Sequence, residues 1–134
     1  MERPKSFNLR AIADGFGIFG AAACAIHCIA IPVLLVVGAA VPSLFLGETF
    51  HRTMLWLVVP SAILAFSLGC SRHKDRLVLI LGAVGVIGLV ASGTVLHDVV
   101  GEFGEKAGTL ASAAILIFAH VRNFRLCRSD SCET

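Results

Sequence analysis

Long stretches without any charged side chain make up most of this sequence. Four of them lack Asp, Glu, Lys and Arg altogether: residues 15–47, 53–71, 77–96 and 107–121. A helix needs about 20 mostly apolar residues to cross a bilayer, and about 17 is the usual lower limit. The first three stretches reach that length as they stand. The fourth reaches it when it is extended to about 103–126, with its arginines directed toward the lipid headgroups.

The composition favours a membrane fold over a soluble one. Apolar residues make up 57% of the 134 residues and charged residues only 15%, whereas soluble domains carry roughly 25% charged residues. Lipid admits only helices or closed barrels, and no stretch alternates with the period of a strand. We therefore predict an all-α polytopic membrane protein, with four transmembrane helices packed as a bundle over residues 1–126. The predicted helices cover about 11–41, 53–71, 76–97 and 103–126, and residues 127–134 form a cysteine-containing cytoplasmic tail.

The basic residues indicate the orientation of the predicted helices. Most of the 11 Lys and Arg residues lie near the N-terminus, between helices 2 and 3, or near the C-terminus. Only Arg52 and Lys106 fall in the other two connections. Since Lys and Arg accumulate on the cytoplasmic side of membrane proteins, both termini are predicted to be cytoplasmic.

Several function classes are excluded at this stage. The net charge of +2 is too small to indicate binding to nucleic acid. The sequence contains no phosphate-binding loop, no nucleophile elbow and no paired carboxylates. We therefore predict neither an enzyme nor a pump driven by ATP, and no permanently bound cofactor.

Two thiols and an imidazole stand inside the first uncharged stretch. Cys24, His27 and Cys28 lie at positions i, i+3 and i+4, which share one face of a helix with Cβ atoms about 5–6 Å apart. Such a set can hold one metal ion, and thiolates select soft ions such as Cu(I), Zn(II) and, by extension, Hg(II). Pro32 removes the helical partner of the Cys28 carbonyl, which predicts a bend beside the site. Metal donors well inside a bilayer are a functional candidate.

Further candidate metal donors fall near both ends of the helices. His51 and His97 are expected at the outer ends of helices 2 and 3, close to acidic residues that attract cations. The other donors are expected on the cytoplasmic side: Cys70, His73, His120, Cys127 and Cys132. Because the cytoplasm keeps thiols reduced, these cysteines are predicted to be open thiols.

Three interpretations of the helix 1 thiols remain open. They can serve a carrier that moves a soft metal ion inward by ligand exchange. They can serve a thiol-redox or metal-sensing membrane protein without net transport. They can also pack as small apolar side chains in a purely structural bundle. Four spans make only a small pore wall, so a homo-oligomer also stays open.

Several short segments resemble the MerC family of mercuric-ion transport membrane proteins. The tail CRSDSCE is similar to the family's C-x-x-D-x-C-E, and CAIHCIAIP, GCSRH and AHVRN are similar to the MerC-like membrane domain. The resemblance implies that Cys24 and Cys28 accept Hg(II) and pass it inward, with Cys127 and Cys132 as exit ligands. It also implies a multi-pass protein of the bacterial inner membrane that hands the ion to a cytoplasmic thiol protein such as mercuric reductase.

The sequence departs from this family pattern in helix 1. The family has two adjacent cysteines there, whereas three residues separate Cys24 from Cys28. His27 occupies the position just before the second thiol. The added imidazole keeps Zn(II) and Cu(I) open as alternatives to Hg(II).

Overall fold

The computed structural model describes residues 5–46, 48–73 and 75–130. Helices account for nearly all of them, and no strand occurs among these described residues. The all-α class predicted from the sequence is confirmed. In chain order the elements are α1 (Lys5–Val36), a short 3-10 helix (Ser43–Phe45), α2 (Glu48–His73), α3 (Arg76–Ala91), a π-helical turn (Ser92–Leu96) and α4 (His97–Asp130).

Three helical stretches, rather than the predicted four, are long and apolar enough to cross a membrane within the described part of the chain: Asn8–Val36, Thr49–Gly69 and Arg76–Ser129. The prediction of four separate helices is therefore corrected. The third and fourth predicted helices merge because the chain leaves α3 through a π-helical turn and enters α4 without a loop. The merged stretch has 54 residues, far more than the about 20 that one crossing needs.

The merged stretch folds back on itself at Gly101. The backbone there has φ 73° and ψ −176°, a region open to glycine and almost closed to other residues. Small residues then let the two halves pack closely and antiparallel: a Cβ added at Gly85 would meet Leu116, and one added at Gly88 would meet Ser112. α3 and α4 thus form a helical hairpin although no loop separates them.

Gly101→Ala is expected to lower the free energy of unfolding by roughly 1–3 kcal/mol, the usual cost of an L-residue held in such a backbone region. No described atom lies within 4 Å of a Cβ built at this position, so the effect comes from the backbone and not from a clash. Thermal unfolding in detergent micelles measures it. Gly15→Ala is the control, because it also adds a methyl group into open space but within a regular helix. Equal unfolding temperatures for the two variants would contradict a strained turn at Gly101.

α1 ends earlier than the predicted limit near residue 41. Gly38 adopts φ 74°, and its N–H donates to the Leu35 carbonyl, while the Ala39 N–H donates to the Leu34 carbonyl. This pair of bonds is the Schellman motif, in which glycine closes a helix C-terminus. Pro32 lies inside α1 and does not end it.

The helices meet along small side chains. A Cβ at Gly20 would overlap Val58, which brings α1 and α2 close together. Small residues permit the close backbone approach by which membrane helices associate. Large apolar side chains are exposed instead, as expected when lipid is the solvent. The buried small residues include Ala21, Ala62, Ala65, Ala113 and Ala119, and the exposed large ones include Ile26, Ile63, Ile80 and Phe118.

The two ends of the bundle carry different groups. We call the end formed by residues 37–46, 48–49 and 97–105 the loop end. The opposite end, with residues 73, 75 and 76, is the terminal end. At the terminal end, Asp75 accepts a hydrogen bond from the Val78 backbone N–H at 3.1 Å and one from Arg122 at 2.9 Å. These two donors hold the pKa of Asp75 below its usual range. Asp75 thereby caps α3 and ties it to α4.

Candidate metal centre

Two histidines and one cysteine converge near the loop end. His27 and Cys28 are neighbours on α1, and His51 lies at the start of α2. One ligand atom from each lies within 4.8 Å of the other two, and the Cys28 sulfur is 3.4 Å from His51 Nε2. We call these three residues the loop-end donor group. A thiol and two imidazoles so close together can coordinate a soft or borderline metal ion.

The His27 ring is held with one nitrogen available. The ring stacks on Phe50 with centroids 4.1 Å apart, and His27 Nε2 lies 2.8 Å from the Phe45 carbonyl oxygen. A carbonyl only accepts, so Nε2 carries the proton and Nδ1 carries the lone pair of the neutral ring. His27 Nδ1 is buried and has no hydrogen-bond partner among the described residues. Buried polar atoms in proteins nearly always have a partner. A metal ion bound to Nδ1 would provide one here.

The loop-end donor group borders a cavity of about 470 Å³. Part of the wall is apolar and includes Pro32, the residue one turn beyond Cys28. The rest carries charged and titratable side chains, which can attract a cation into the cavity. Besides the donor group, the lining consists of Ile31, Pro32, Leu35, Leu46, His97, Glu102, Glu105 and Lys106.

Glu105 connects two of the predicted histidine donors. One carboxylate oxygen lies 3.3 Å from His51 Nδ1, and the other lies 2.9 Å from His97 Nδ1. The side chain of Glu105 is only 12% exposed, whereas that of His97 is 50% exposed. The neighbouring Glu102 pairs with Lys106 instead. The two histidines predicted at the outer ends of helices 2 and 3 are thus joined through a carboxylate that the sequence analysis did not single out.

Cys24 is buried but lies outside the loop-end donor group. It is 1% exposed and belongs to the apolar core with Ala21, Val58 and Ala113. Cys28 is also buried, and the Thr109 side chain lies beside its thiol. Both thiols therefore face the bundle interior from α1, one turn apart. The structure groups Cys28 with two imidazoles, where the sequence analysis had paired it with Cys24 and His27.

A second polar cluster lies nearer the terminal end. His120 Nδ1 is 2.8 Å from an Asp14 carboxylate oxygen, and the Asn123 amide donates to the other oxygen at 3.0 Å. All three side chains are almost fully buried. His120 Nε2 has no hydrogen-bond partner among the described residues and faces Gly17, where a Cβ would overlap the ring. Eleven positions on α4 separate Thr109, beside Cys28, from His120, about 16 Å of helix.

Polar and sulfur-bearing residues occur near both ends of the contact between α1 and α4. The contacts of Asp14 with Asn123, of Gly17 with His120 and of Cys28 with Thr109 show that the two helices run antiparallel. One row of buried residues on α4 recurs every three or four positions: Thr109, Ser112, Leu116, His120, Asn123 and Cys127. One row of buried positions on α1 does the same: Arg10, Asp14, Gly17, Ala21, Cys24 and Cys28. This spacing on otherwise apolar helices was the signal that could have identified Asp14, Asn123 and Thr109 from sequence.

Of the remaining predicted donors, the structure describes the side chain of Cys127. Cys127, predicted in a cytoplasmic tail, lies within α4 and is buried, because the helix continues to Asp130 and keeps this residue on its buried face. The side chains of Cys70 and His73, and all of Cys132, fall outside the described part of the chain.

Comparison with known families agrees with the geometry. The family described as MerC mercury resistance protein matches residues 14–125, which include both the loop-end donor group and the Asp14 cluster. Comparisons with curated proteins and with solved structures returned no match. A match over most of the chain, on a helical membrane fold that gathers thiol and imidazole donors, shows that the chain belongs to the MerC family.

Proposed function

We propose that this chain carries Hg(II) across the bacterial inner membrane by ligand exchange between thiols. Its family is one of mercuric-ion transport, and its apolar helices place it in a membrane. The observation that carries the proposal is the loop-end donor group, where His27, Cys28 and His51 meet beside a cavity. Nothing in the proposal requires catalysis or a resident cofactor.

The proposed topology has four crossings with both termini in the cytoplasm. The 54-residue stretch supplies two crossings because it folds back at Gly101. Most basic residues in the described part of the chain then lie at the terminal end, which is therefore the cytoplasmic side. The loop end, with its cavity and its acidic residues Glu102 and Glu105, faces outward.

Loading would begin at the cavity. Glu105 attracts the cation, whereas the charge of Glu102 is offset by its partner Lys106. The Cys28 sulfur then replaces one of the ligands with which the ion arrives. The thiol releases its proton as it binds, since only a thiolate is a strong ligand for a soft ion. The His51 and His27 imidazoles complete the coordination.

Transfer inward would follow the α1–α4 contact. Cys24 lies one turn, about 6 Å, beyond Cys28. His120 and Cys127 come next on the opposite helix, but Ala113 and Leu116 fill the contact between them and Cys24. The two helices must therefore separate locally for the ion to pass. Cys132, with Cys70 and His73, would receive it and release it to a cytoplasmic thiol protein such as a mercuric reductase.

A second candidate function is metal sensing without net transport. The loop-end donor group holds one sulfur and two imidazole nitrogens, a donor set that also suits Zn(II) and Cu(I). In that case the ion would bind and leave on the same side, and Cys24 would only pack. Homo-oligomers are compatible with both functions.

Uptake of labelled Hg(II) by cells that express the chain tests the carrier, with Zn(II) and Cu(I) measured in parallel. The expected result is Hg(II) uptake that falls to the background of vector-only cells in Cys24→Ser/Cys28→Ser. Ala23→Ser, which adds a hydroxyl group to the same helix, is the control, and the amount of each variant in the membrane is measured.

Uptake that persists in the double variant would overturn the thiol route. Absence of uptake for every metal, together with retained metal binding by the purified protein, would favour sensing instead.

A further inference from the structure

Glu105 has an unusual position beside the loop-end donor group. Its carboxylate contacts two imidazoles that belong to different parts of the chain, His51 on α2 at 3.3 Å and His97 across the Gly101 turn at 2.9 Å. It is nearly buried, with 12% of its side chain exposed. A carboxylate held in this way has a defined position and does not sample the solvent as an ordinary surface glutamate does.

The contact between His51 Nδ1 and the Glu105 carboxylate, at 3.3 Å, determines which nitrogen of that ring is free. An ionised carboxylate can only accept, so His51 Nδ1 carries the proton. A neutral imidazole has a single N–H, and Nε2 therefore presents its lone pair. That atom is the one that lies 3.4 Å from the Cys28 sulfur. Carboxylates that orient a ligating histidine through its second nitrogen are common at metal sites and raise the basicity of the ligand.

Charge gives Glu105 a second role. The loop-end donor group has one thiol and two neutral imidazoles, so it offers a single negative charge once Cys28 is deprotonated. A divalent ion would leave this part of the bundle with one uncompensated positive charge, which is costly where water is scarce. The Glu105 carboxylate, bonded to His51, supplies the second negative charge. A monovalent soft ion is neutralised by the thiolate alone.

We propose that Glu105 is the positioning residue of this metal centre and that it selects divalent over monovalent soft ions. It turns the Nε2 atom of His51 toward the metal and balances the second charge of the ion. His97 holds the other carboxylate oxygen and so prevents the side chain from turning away. The inference rests on the proposed function only in that the loop-end donor group binds a metal.

The test compares metal affinities of the purified protein in detergent micelles, with Cd(II) and Ag(I) as divalent and monovalent soft probes. Cys70 and Cys132 are replaced by serine throughout, so that fewer thiols compete. Glu105→Gln keeps an oxygen that can accept from His51 but removes the charge. We expect about 10–100-fold weaker Cd(II) binding, the range seen for lost outer-shell partners, and nearly unchanged Ag(I) binding. Glu105→Asp, which keeps the charge, should recover part of the Cd(II) affinity.

Glu102→Gln is the matched control, because Glu102 lines the same cavity but pairs with Lys106. It should leave the ratio of Cd(II) to Ag(I) affinity as in wild type. An equal loss for both ions in Glu105→Gln would indicate a merely structural role and overturn the selectivity. Unchanged Cd(II) binding would overturn it as well.

Nitrogen NMR of labelled histidine supplies a readout that needs no metal. His51 should be protonated at Nδ1 in wild type and shift toward protonation at Nε2 in Glu105→Ala. Protonation at Nε2 already in wild type would overturn the positioning role. If wild type binds neither probe, the proposed function fails at this site and the selectivity fails with it, while the NMR result still decides whether Glu105 orients His51.

Discussion

Replacing Cys28 by serine is expected to weaken Hg(II) binding by more than about 100-fold. Removing a residue that only hydrogen-bonds to a metal ligand usually weakens metal binding by roughly 10–100-fold, and the loss of a ligand itself should exceed that. Cys28 supplies the sole sulfur of the loop-end donor group. A serine hydroxyl is a hard donor that stays protonated, whereas Hg(II) prefers a soft thiolate. The His27 and His51 imidazoles would remain without the negative donor between them. The measurement is a competition titration of Hg(II) against a small dithiol, with Cys70 and Cys132 replaced by serine.

Cys24→Ser is the matched variant for this prediction. It removes a thiol from the same helix, one turn away, but Cys24 lies outside the donor group and among apolar side chains. We therefore expect Cys24→Ser to keep most of the Hg(II) affinity and to lose uptake in cells, because the next ligand of the route is gone. Equal losses of affinity in the two variants would show that the ion is held between both thiols.

Gly17→Ala is expected to destabilise the bundle by about 1–3 kcal/mol, the usual cost of an extra methyl group in a well-packed interior. A Cβ at Gly17 would overlap three atoms of the His120 ring. The ring cannot move away easily, since it stacks on Phe66 with centroids 4.5 Å apart and is bonded to Asp14. Displacing it would also leave a buried carboxylate short of a partner. Thermal unfolding in detergent micelles measures the loss.

Gly15→Ala is the matched control, two residues earlier on the same helix. Apart from the adjacent residues and the backbone of its own helix, no described atom lies within 4 Å of a Cβ at that position. Alanine is a better helix former than glycine, so Gly15→Ala should gain roughly 0.5–1 kcal/mol. Opposite signs for the two variants are the expected outcome. Stabilisation by Gly17→Ala would mean that α1 and α4 are not in close contact at His120.

The membrane class could be predicted from the sequence because it depends on properties that add up along the chain. Residues 15–47 carry no charged side chain over a length that exceeds one crossing. No tertiary contact can change the total hydropathy of that stretch. The number of separate helices could not be predicted in the same way. Leu96 and His97 continue the helical path through a π-helical turn, and a fold-back at Gly101 takes the place of the expected loop.

Only those members of the metal site that are neighbours in the sequence were predicted to lie together. His27 and Cys28 were both identified, since neighbours on one helix stay together in any fold of that helix. Their joint grouping with His51 depends on how α2 lies against α1, which sequence spacing does not specify. Cys24 shares a helix face with Cys28 by spacing, yet it belongs to the apolar core together with Val58 and Ala113. Glu105 had no distinguishing mark in the sequence among the acidic residues near it.

By itself, the sequence determined that the chain is a helical membrane protein of the MerC family with soft donors inside its first helix. These features follow from composition, from periodicity and from motifs that are contiguous in the chain. The tertiary structure alone decided which donors meet. In the structure, His51 contacts Cys28, and Glu105 contacts the opposite side of the His51 ring. His120 packs against Gly17, away from the loop-end donor group. Such contacts depend on helix register and on a single turn at Gly101, and a one-turn shift of about 5.4 Å between two helices would separate them.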